Sequence, residues 1–269
     1  MPDNPWAKFF GEAWLLPFAE DGQAVLLHCS NKVERANGAT GFAIMIGEDQ
    51  LKRIAAWSRE LTKREIEVAR AGISEKSYVT GETIFMRGEK FDYWAGMVSG
   101  LARMGAVSRD GKETSLAGLT AGAWFGEGSV LKNEPRRYDV VALRNSRLAL
   151  MERSAFMWLF ENSVGFNRFL VRQLNERLGQ FIGMMEVNRT LDATARLARS
   201  IASLFNPILY PDSTTHLEIT QEEIGALSGM SRQNANRALN KLEREGLLRL
   251  EYGGVTILDI ERLRGYGEE

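Results

Sequence analysis

Cysteine occurs once in the 269 residues, at Cys29, and histidine twice, at His28 and His216. A lone thiol excludes an internal disulfide and falls short of the about four thiolates that hold an iron–sulfur cluster. The two histidines read as surface or packing residues, so no metal ligands are assigned. Long apolar runs are also missing: Trp14 to Phe18 and Phe42 to Ile46 are far shorter than the about 20 residues of a membrane span. There is no basic leader followed by a signal-type apolar stretch, so a soluble, unprocessed, cytoplasmic chain is expected, with no membrane partner. An excess of positive charge is absent too, with 34 Lys and Arg against 35 Asp and Glu. No field of the whole protein attracts nucleic acid, and any such binding must come from a local surface. What remains is an ordinary globular composition, 44% hydrophobic and 26% charged, long enough for two domains.

The informative stretch runs from Ile219 to Gly246. Thr220 followed three residues later by Glu223 is a capping box and predicts a helix from about Gln221. Ile224 and Leu227 fall on its inner face, Gly229 supplies a tight turn, and Ser231 caps a second helix. Ala235, Leu239 and Leu242 form the buried stripe of that helix. Its opposite face carries Arg232, Gln233, Asn236 and Arg237, whose forked or paired hydrogen-bonding groups match the edges of guanine and adenine. Thr220 and Gln221 complete the set of candidate DNA contacts. Gly246 suits a helix end, and Leu247 to Glu251, Tyr252, Gly253-Gly254 and Val255 to Leu258 predict a hairpin, or wing. A purely solvated helix would alternate Glu and Lys, which this face does not. From Arg232 to Arg249 five basic residues stand against two Glu. This modest excess predicts sequence-specific binding of double-stranded DNA with few phosphate contacts, and a dimer on a palindromic operator.

The rest of the chain is read more coarsely. Residues 1–50 show no sustained period and form an N-terminal extension of unassigned role. Residues 51–71 predict a helix with Leu51, Ile54, Leu61, Ile66 and Ala69 inward, ended by Gly72. From Tyr78 to Met151, short alternations punctuated by glycine predict a β-sandwich or rolled barrel, with a hairpin turn at Asp110-Gly111 and strands at Val140 to Leu143 and Leu148 to Met151. A metalloenzyme of cupin type also uses such a roll, but its site takes several His plus a carboxylate, and neither histidine lies between Tyr78 and Met151. No catalytic residues are assigned. Residues 156–189 predict a long helix on which Leu170, Leu174, Leu178, Phe181, Met185 and Asn188 recur by fours and threes, a coiled-coil seam. Such a stripe packs either on its own roll or on a second copy, and its length favours a homodimer axis. A further helix from Thr190 to Phe205, with Leu197, Ile201 and Leu204 inward, stops at Asn206-Pro207 and opens a C-terminal domain to about residue 262.

The fold class is therefore α+β: a glycine-punctuated β-roll with flanking helices over 51–155, a long dimerisation helix, and a winged helix-turn-helix over 190–262. In that order these parts resemble the cyclic AMP receptor protein and fumarate–nitrate reductase regulator (Crp/Fnr) family over about residues 60–262. The resemblance implies that Arg232 and Arg237 contact bases, while Gln233 stands where the best-known member carries Glu. It implies a homodimeric transcription regulator that meets RNA polymerase. Trp124-Phe125-Gly126-Glu127-Gly128, with Glu127 ten residues before Arg137, is similar to the family's phosphate-binding cassette. Gly126 would present backbone N–H groups to an anion, Glu127 would accept from a ribose hydroxyl, and Arg137 would pair with a cyclic phosphodiester. Three departures count against a cyclic nucleotide. Tyr138 replaces a small hydroxyl residue, Asp139 opposes an anion if it points inward, and Phe181 and Ile182 replace two hydroxyl side chains that meet adenine. The alternative is a pocket kept only as scaffold. Haem or iron–sulfur sensing, known elsewhere in the family, is not expected. A nucleotide-binding regulatory subunit acting on a protein partner is the rival reading.

Overall fold

Among the described residues three helical pieces precede the first strand, where the apolar spacing predicts one helix. In the computed structural model, residues 46–107, 113–190, 192–211 and 215–267 are described. The N-terminal extension through residue 45, with His28 and Cys29, lies outside the described residues, as do the Asp110-Gly111 turn, Leu191 and the side chain of Asn188. The pieces are α1 (Glu48–Ile54), a 3-10 turn (Ala56–Glu60) and α2 (Lys63–Ala71). Thr62 makes the break: its hydroxyl accepts from the Glu65 N–H at 3.4 Å, and the Glu65 carboxylate accepts from the Thr62 N–H at 2.6 Å. This reciprocal cap starts a new helix where periodicity alone reads straight through. Leu51, Ile54, Ile66 and Ala69 are buried as expected, with Leu61 packed at the edge.

Among the described residues eight strands build the roll: β1 (Ile73–Tyr78), β2 (Thr83–Phe85), β3 (Tyr93–Ser99), β4 (Ala102–Val107), β5 (Glu113–Leu119), β6 (Trp124–Phe125), β7 (Asp139–Ala142) and β8 (Ser146–Glu152). A six-residue helix, α3 (Glu127–Lys132), separates β6 from β7. The strands form two antiparallel four-stranded sheets in the orders β1-β8-β3-β6 and β2-β7-β4-β5. Phe85, Met97, Met104, Phe125, Val140 and Leu148 fill the space between them, each 3% exposed or less. Strand β8 is buried on both faces, because helices cover its outer side with a second core. There Trp57, Trp94 and Trp124 meet with ring centroids 4.4 to 5.4 Å apart, joined by Phe156 and Phe166. The Trp124 indole N–H donates to the Ile54 carbonyl at 2.8 Å, so this large apolar body leaves its one polar atom satisfied.

The helical run expected from Phe156 divides at Ser163 into α4 (Arg153–Asn162) and α5 (Val164–Thr190). The Ser163 hydroxyl accepts from the Phe166 N–H at 3.2 Å and restarts the helix. Residues 156–162 thus cover the roll and do not extend the long helix. With 27 residues, α5 is about 40 Å long. Its first turns bury Phe166, Phe169 and Leu170 in the tryptophan core.

Beyond it come α6 (Ala193–Ser203), β9 (His216–Leu217), α7 (Gln221–Leu227), α8 (Arg232–Arg244), β10 (Leu248–Glu251), β11 (Gly254–Ile257) and α9 (Ile260–Arg264). Asp192 caps α6 by accepting from Ala195 N–H at 2.8 Å. Asn206 stops the chain after α6 by accepting from the Ile208 and Leu209 N–H groups at 2.9 and 3.0 Å. Leu197, Ile201, Ile224, Leu239, Leu242, Leu248 and Val255 make a third core. The expected wing gains a strand: β9 pairs with β11 to give the order β10-β11-β9.

The C-terminal domain rests on the outside of the roll. Arg144 grips Glu223, the Ser115 hydroxyl donates to the Ala226 carbonyl, and the Tyr210 hydroxyl donates to the Gly118 carbonyl at 2.8 Å.

Candidate nucleic-acid interface and effector site

The helix pair is fixed by its caps. Thr220 accepts from Glu223 N–H at 3.2 Å while the Glu223 carboxylate accepts from Thr220 N–H at 2.6 Å, and Ser231 accepts from Asn234 N–H at 3.3 Å. Between the helices Gly229 holds φ at +63°, a left-handed conformation that side chains rarely adopt. At Gly225 a methyl group would lie 3.2 Å from the Met230 carbonyl, so the missing side chain lets the second helix approach the first. Ala235, Leu239 and Leu242 are buried, and Ala238 joins them.

The polar face of α8 separates into two groups. Arg232, Gln233 and Arg237 are exposed and make no side-chain hydrogen bond or ion pair among the described residues. Asn236 instead donates to the Gln221 side chain at 2.6 Å and accepts from Asn240 at 2.8 Å. The structure therefore brings two of the expected DNA contacts, Gln221 and Asn236, against each other, and their bond ties the two helices together. Tyr252 projects fully from the wing tip beside Gly253, whose φ is +73°.

The cassette is built around Gly126, at φ +92°, where β6 turns into α3. The family resemblance implies Arg137 as its cation, and the structure corrects this. Arg137 points outward and pairs with Glu134 at 2.9 Å, while Arg136 is buried beneath the turn. The cause is local register. The Arg136 backbone bonds Glu89 O and Gly88 N on either side, which turns its side chain inward and its neighbour's out. The Arg136 guanidinium donates to the carbonyls of Gly126 at 2.7 Å, Tyr93 at 2.5 Å and Phe91 at 3.4 Å, between the Phe85 and Phe91 rings. Burial pushes it below the ordinary arginine range, against the nearby Tyr138 and Glu127. Tyr138 stands half-buried beside it, and burial followed by the Glu127 charge pushes its phenol up. The Asp139 carboxylate accepts from the Arg87 N–H at 2.8 Å.

Two residues that sequence reading missed reach the cassette from the long helix. Arg177 lies 3.5 Å from the Glu127 carboxylate and donates to the Trp124 carbonyl at 2.5 Å, and Gln173 donates to the same carbonyl at 2.8 Å. Only the helical spacing of the two residues on α5 hinted at this; their target lies about 50 residues upstream. The other carboxylate oxygen of Glu127 is buried with no protein partner among the described residues. That atom fits the hydroxyl donor of a ribose. The phosphate half fits less well, because Arg136 is occupied by backbone carbonyls and Arg137 faces away.

On α5 the expected seam also needs one correction. Leu170 is 3% exposed and packs in the tryptophan core. From there the stripe is open: Leu174, Leu178 and Met185 are 42%, 57% and 57% exposed, with Phe181 and Ile182 beside them. Among the described residues no helix is long and apolar enough to cross a membrane, and no three metal-ligating side chains come together.

Residues 75–163 match the family of the cyclic nucleotide-binding domain, and residues 195–266 that of the Crp-like helix-turn-helix domain. Over 187 residues the chain is 30% identical to the CRP-like cAMP-activated global transcriptional regulator of Mycobacterium tuberculosis, covering 68% of this chain and 83% of that one. It is 27% identical over 197 residues to the Cyclic AMP receptor protein of Thermus thermophilus, covering 73% and 89%. Among solved structures FixK2 from Bradyrhizobium japonicum shares the fold, with a TM-score of 0.60 at 20% identity over 72% of this chain and 96% of that one.

Proposed function

The chain belongs to the Crp/Fnr family of DNA-binding transcriptional regulators, and from that premise we propose that it reads a palindromic operator as a homodimer paired along α5. Two copies of α8 enter successive major grooves about 34 Å apart, and Arg232, Gln233 and Arg237 read base edges there. The observation that carries this reading is the exposed, unengaged set of those three side chains on a helix whose other face is locked in a core. The open apolar stripe from Leu174 to Met185 supports the pairing, since contiguous exposed apolar surface on a soluble chain marks an interface. Work on DNA in a bacterial cell makes the protein cytoplasmic and brings it to RNA polymerase, and it acts without catalysis of its own.

The roll receives a small effector. Its point of action is the Glu127–Arg177 contact, where an occupant of the cassette touches the long helix directly. A cyclic nucleotide is the first candidate, since the relatives named above are cAMP-activated or a cyclic AMP receptor by name and the vacant Glu127 oxygen suits a ribose hydroxyl. Whatever the effector, it acts only through different affinities for two dimer states.

Selection of bound duplexes from random DNA tests the reading, run alone and with cyclic AMP or cyclic GMP, alongside light scattering of the protein. An inverted repeat with half-sites about 10 base pairs apart and a dimeric mass are expected. A strictly monomeric protein with no preference among duplexes overturns it. Failure to retain any DNA at low salt would favour the regulatory subunit acting on a protein partner.

A further inference from the structure

Three side-chain carboxamides form a line across the two helices of the DNA-reading pair. The Asn240 amino group donates to the Asn236 side-chain oxygen and to the Asn236 backbone carbonyl, each at 2.8 Å. The Asn236 amino group donates in turn to the Gln221 oxygen at 2.6 Å. Both side-chain bonds run the same way, from α8 toward α7, so the ladder ends in the Gln221 amino group. That group has no protein acceptor among the described residues.

The direction of the ladder decides what Gln221 can offer. A carboxamide has an acceptor end and a donor end, which exchange places on a half turn of its last torsion. With its oxygen bonded to Asn236, Gln221 turns only N–H groups outward. A free glutamine would present either end and lose its rotamer freedom on binding, whereas this half-buried side chain is already held. Its partner is therefore an acceptor. In a helix-turn-helix the first helix crosses the sugar–phosphate backbone while the second enters the groove, and phosphodiester oxygens only accept. Asn236 differs from Arg232, Gln233 and Arg237: those three are exposed, whereas Asn236 is half-buried with its oxygen and one N–H committed to its neighbours.

We infer that Gln221 donates to a phosphate oxygen of the DNA backbone, and that Asn236, with Asn240 behind it, is a positioning residue that holds the Gln221 amide with its donor outward. Asn236 then reads no base. The inference rests on the DNA binding proposed above, but the contact it adds carries no sequence information. It divides the polar residues of the helix pair into three that read the operator and three that set the protein on the backbone.

Fluorescence anisotropy of the full-length protein at low salt tests this, with duplexes drawn from the operator selection and with an unrelated duplex. Gln221→Glu keeps the oxygen that Asn236 bonds and replaces the outward amino group with an oxygen that repels phosphate. It should weaken binding to all duplexes about tenfold or more, with thermal midpoint and dimeric mass unchanged. A role confined to tying the helices together would not give that result. Asn236→Ala should weaken all duplexes alike, about threefold or more, without relaxing selection at any base pair, and should cost nothing further beside Gln221→Ala. Relaxed selection at one base pair in Asn236→Ala overturns the inference, because that residue then reads a base. Undiminished binding by Gln221→Glu also overturns it, as does an Asn236→Ala loss that persists beside Gln221→Ala. A wild-type protein that binds every duplex alike, yet weakens with Gln221→Glu, refutes operator reading and leaves this contact standing. Clear selection by the wild type with full binding by Gln221→Glu does the reverse.

Discussion

Replacing Arg144 with alanine removes a two-point bridge between the roll and the DNA-reading domain. Its Nε donates to one Glu223 oxygen at 2.9 Å and its Nη2 to the other at 2.6 Å. The side chains are 28% and 12% exposed, so the pair is neither a free surface bridge nor fully desolvated. Hydrogen bonds to charged groups contribute about 1.5–3 kcal/mol, and exposed ion pairs about 0–1. An intermediate figure of about 1–2 kcal/mol is expected here, or about 5- to 30-fold in the balance between docked and released domain. The sign with pH follows from Glu223. Burial pushes its carboxyl up, but the Arg144 guanidinium and the bonds from Thr220 together hold it below its ordinary value. A carboxyl lowered on folding contributes stability that is present above its unfolded pKa of about 4.3 and lost as pH falls through the folded value. The measurement is a double-mutant cycle of Arg144→Ala and Glu223→Gln, read as hydrogen-exchange opening of the α7 amides, which separates the bridge from the role of Glu223 in the helix cap. At pH 7 the coupling should be about 1–2 kcal/mol, and it should fade in acid as pH falls below the unfolded value of about 4.3 and through the lowered folded one. A coupling under about 0.3 kcal/mol at pH 7, or one unchanged in acid, refutes the reasoning.

Arg232→Ala should relax selection at one base pair and cost about 1–3 kcal/mol of specific affinity while leaving the dimer intact; an equal loss on all sequences contradicts base reading. Leu178→Glu places a charge in the middle of the open α5 stripe and should give a folded monomer by light scattering, and an unchanged mass would remove the stripe as the axis. Gly126→Ala asks a residue with a side chain to hold φ +92° and puts a methyl group 1.9 Å from the Arg136 guanidinium. It should destabilise the roll by about 2–5 kcal/mol in thermal or urea unfolding, and a change under about 1 kcal/mol would show that the turn relaxes freely.

The helix-turn-helix was almost fully legible because its signals are local. Thr220 and Glu223, Gly229 and Ser231 each act within four residues, and the structure gives each the predicted partner or backbone. The same logic would have found the Thr62 and Glu65 box, which the apolar period of 51–71 obscured. What stayed illegible depends on register and on distance along the chain. Adjacent arginines at 136 and 137 are indistinguishable until the bonds of Arg136 to residues 88 and 89 decide which one turns inward. Leu170 and Leu174 share one helical stripe, yet the first is packed in a core and the second is 42% exposed. Asn236 matched adenine on paper, but its carboxamide is held by Gln221, 15 residues earlier.

Two separate connections join the roll to the recognition helix, and their strengths set what an effector has to supply. One follows the chain, from Glu127 through Arg177 into α5 and on to α6. The other is lateral, through Arg144 to Glu223, Ser115 to Ala226 and Tyr210 to Gly118. A ligand moves an equilibrium only by its differential affinity, and coupling between sites is typically about 1–3 kcal/mol. The bridge at Glu223, at about 1–2 kcal/mol, is therefore of the size that one small molecule can offset. The lateral contact also has an apolar part, since Leu101 packs in the core of the C-terminal domain and Leu209 and Tyr210 in that of the roll, so release of the recognition helix needs an effector whose differential affinity offsets that burial as well as the bridge.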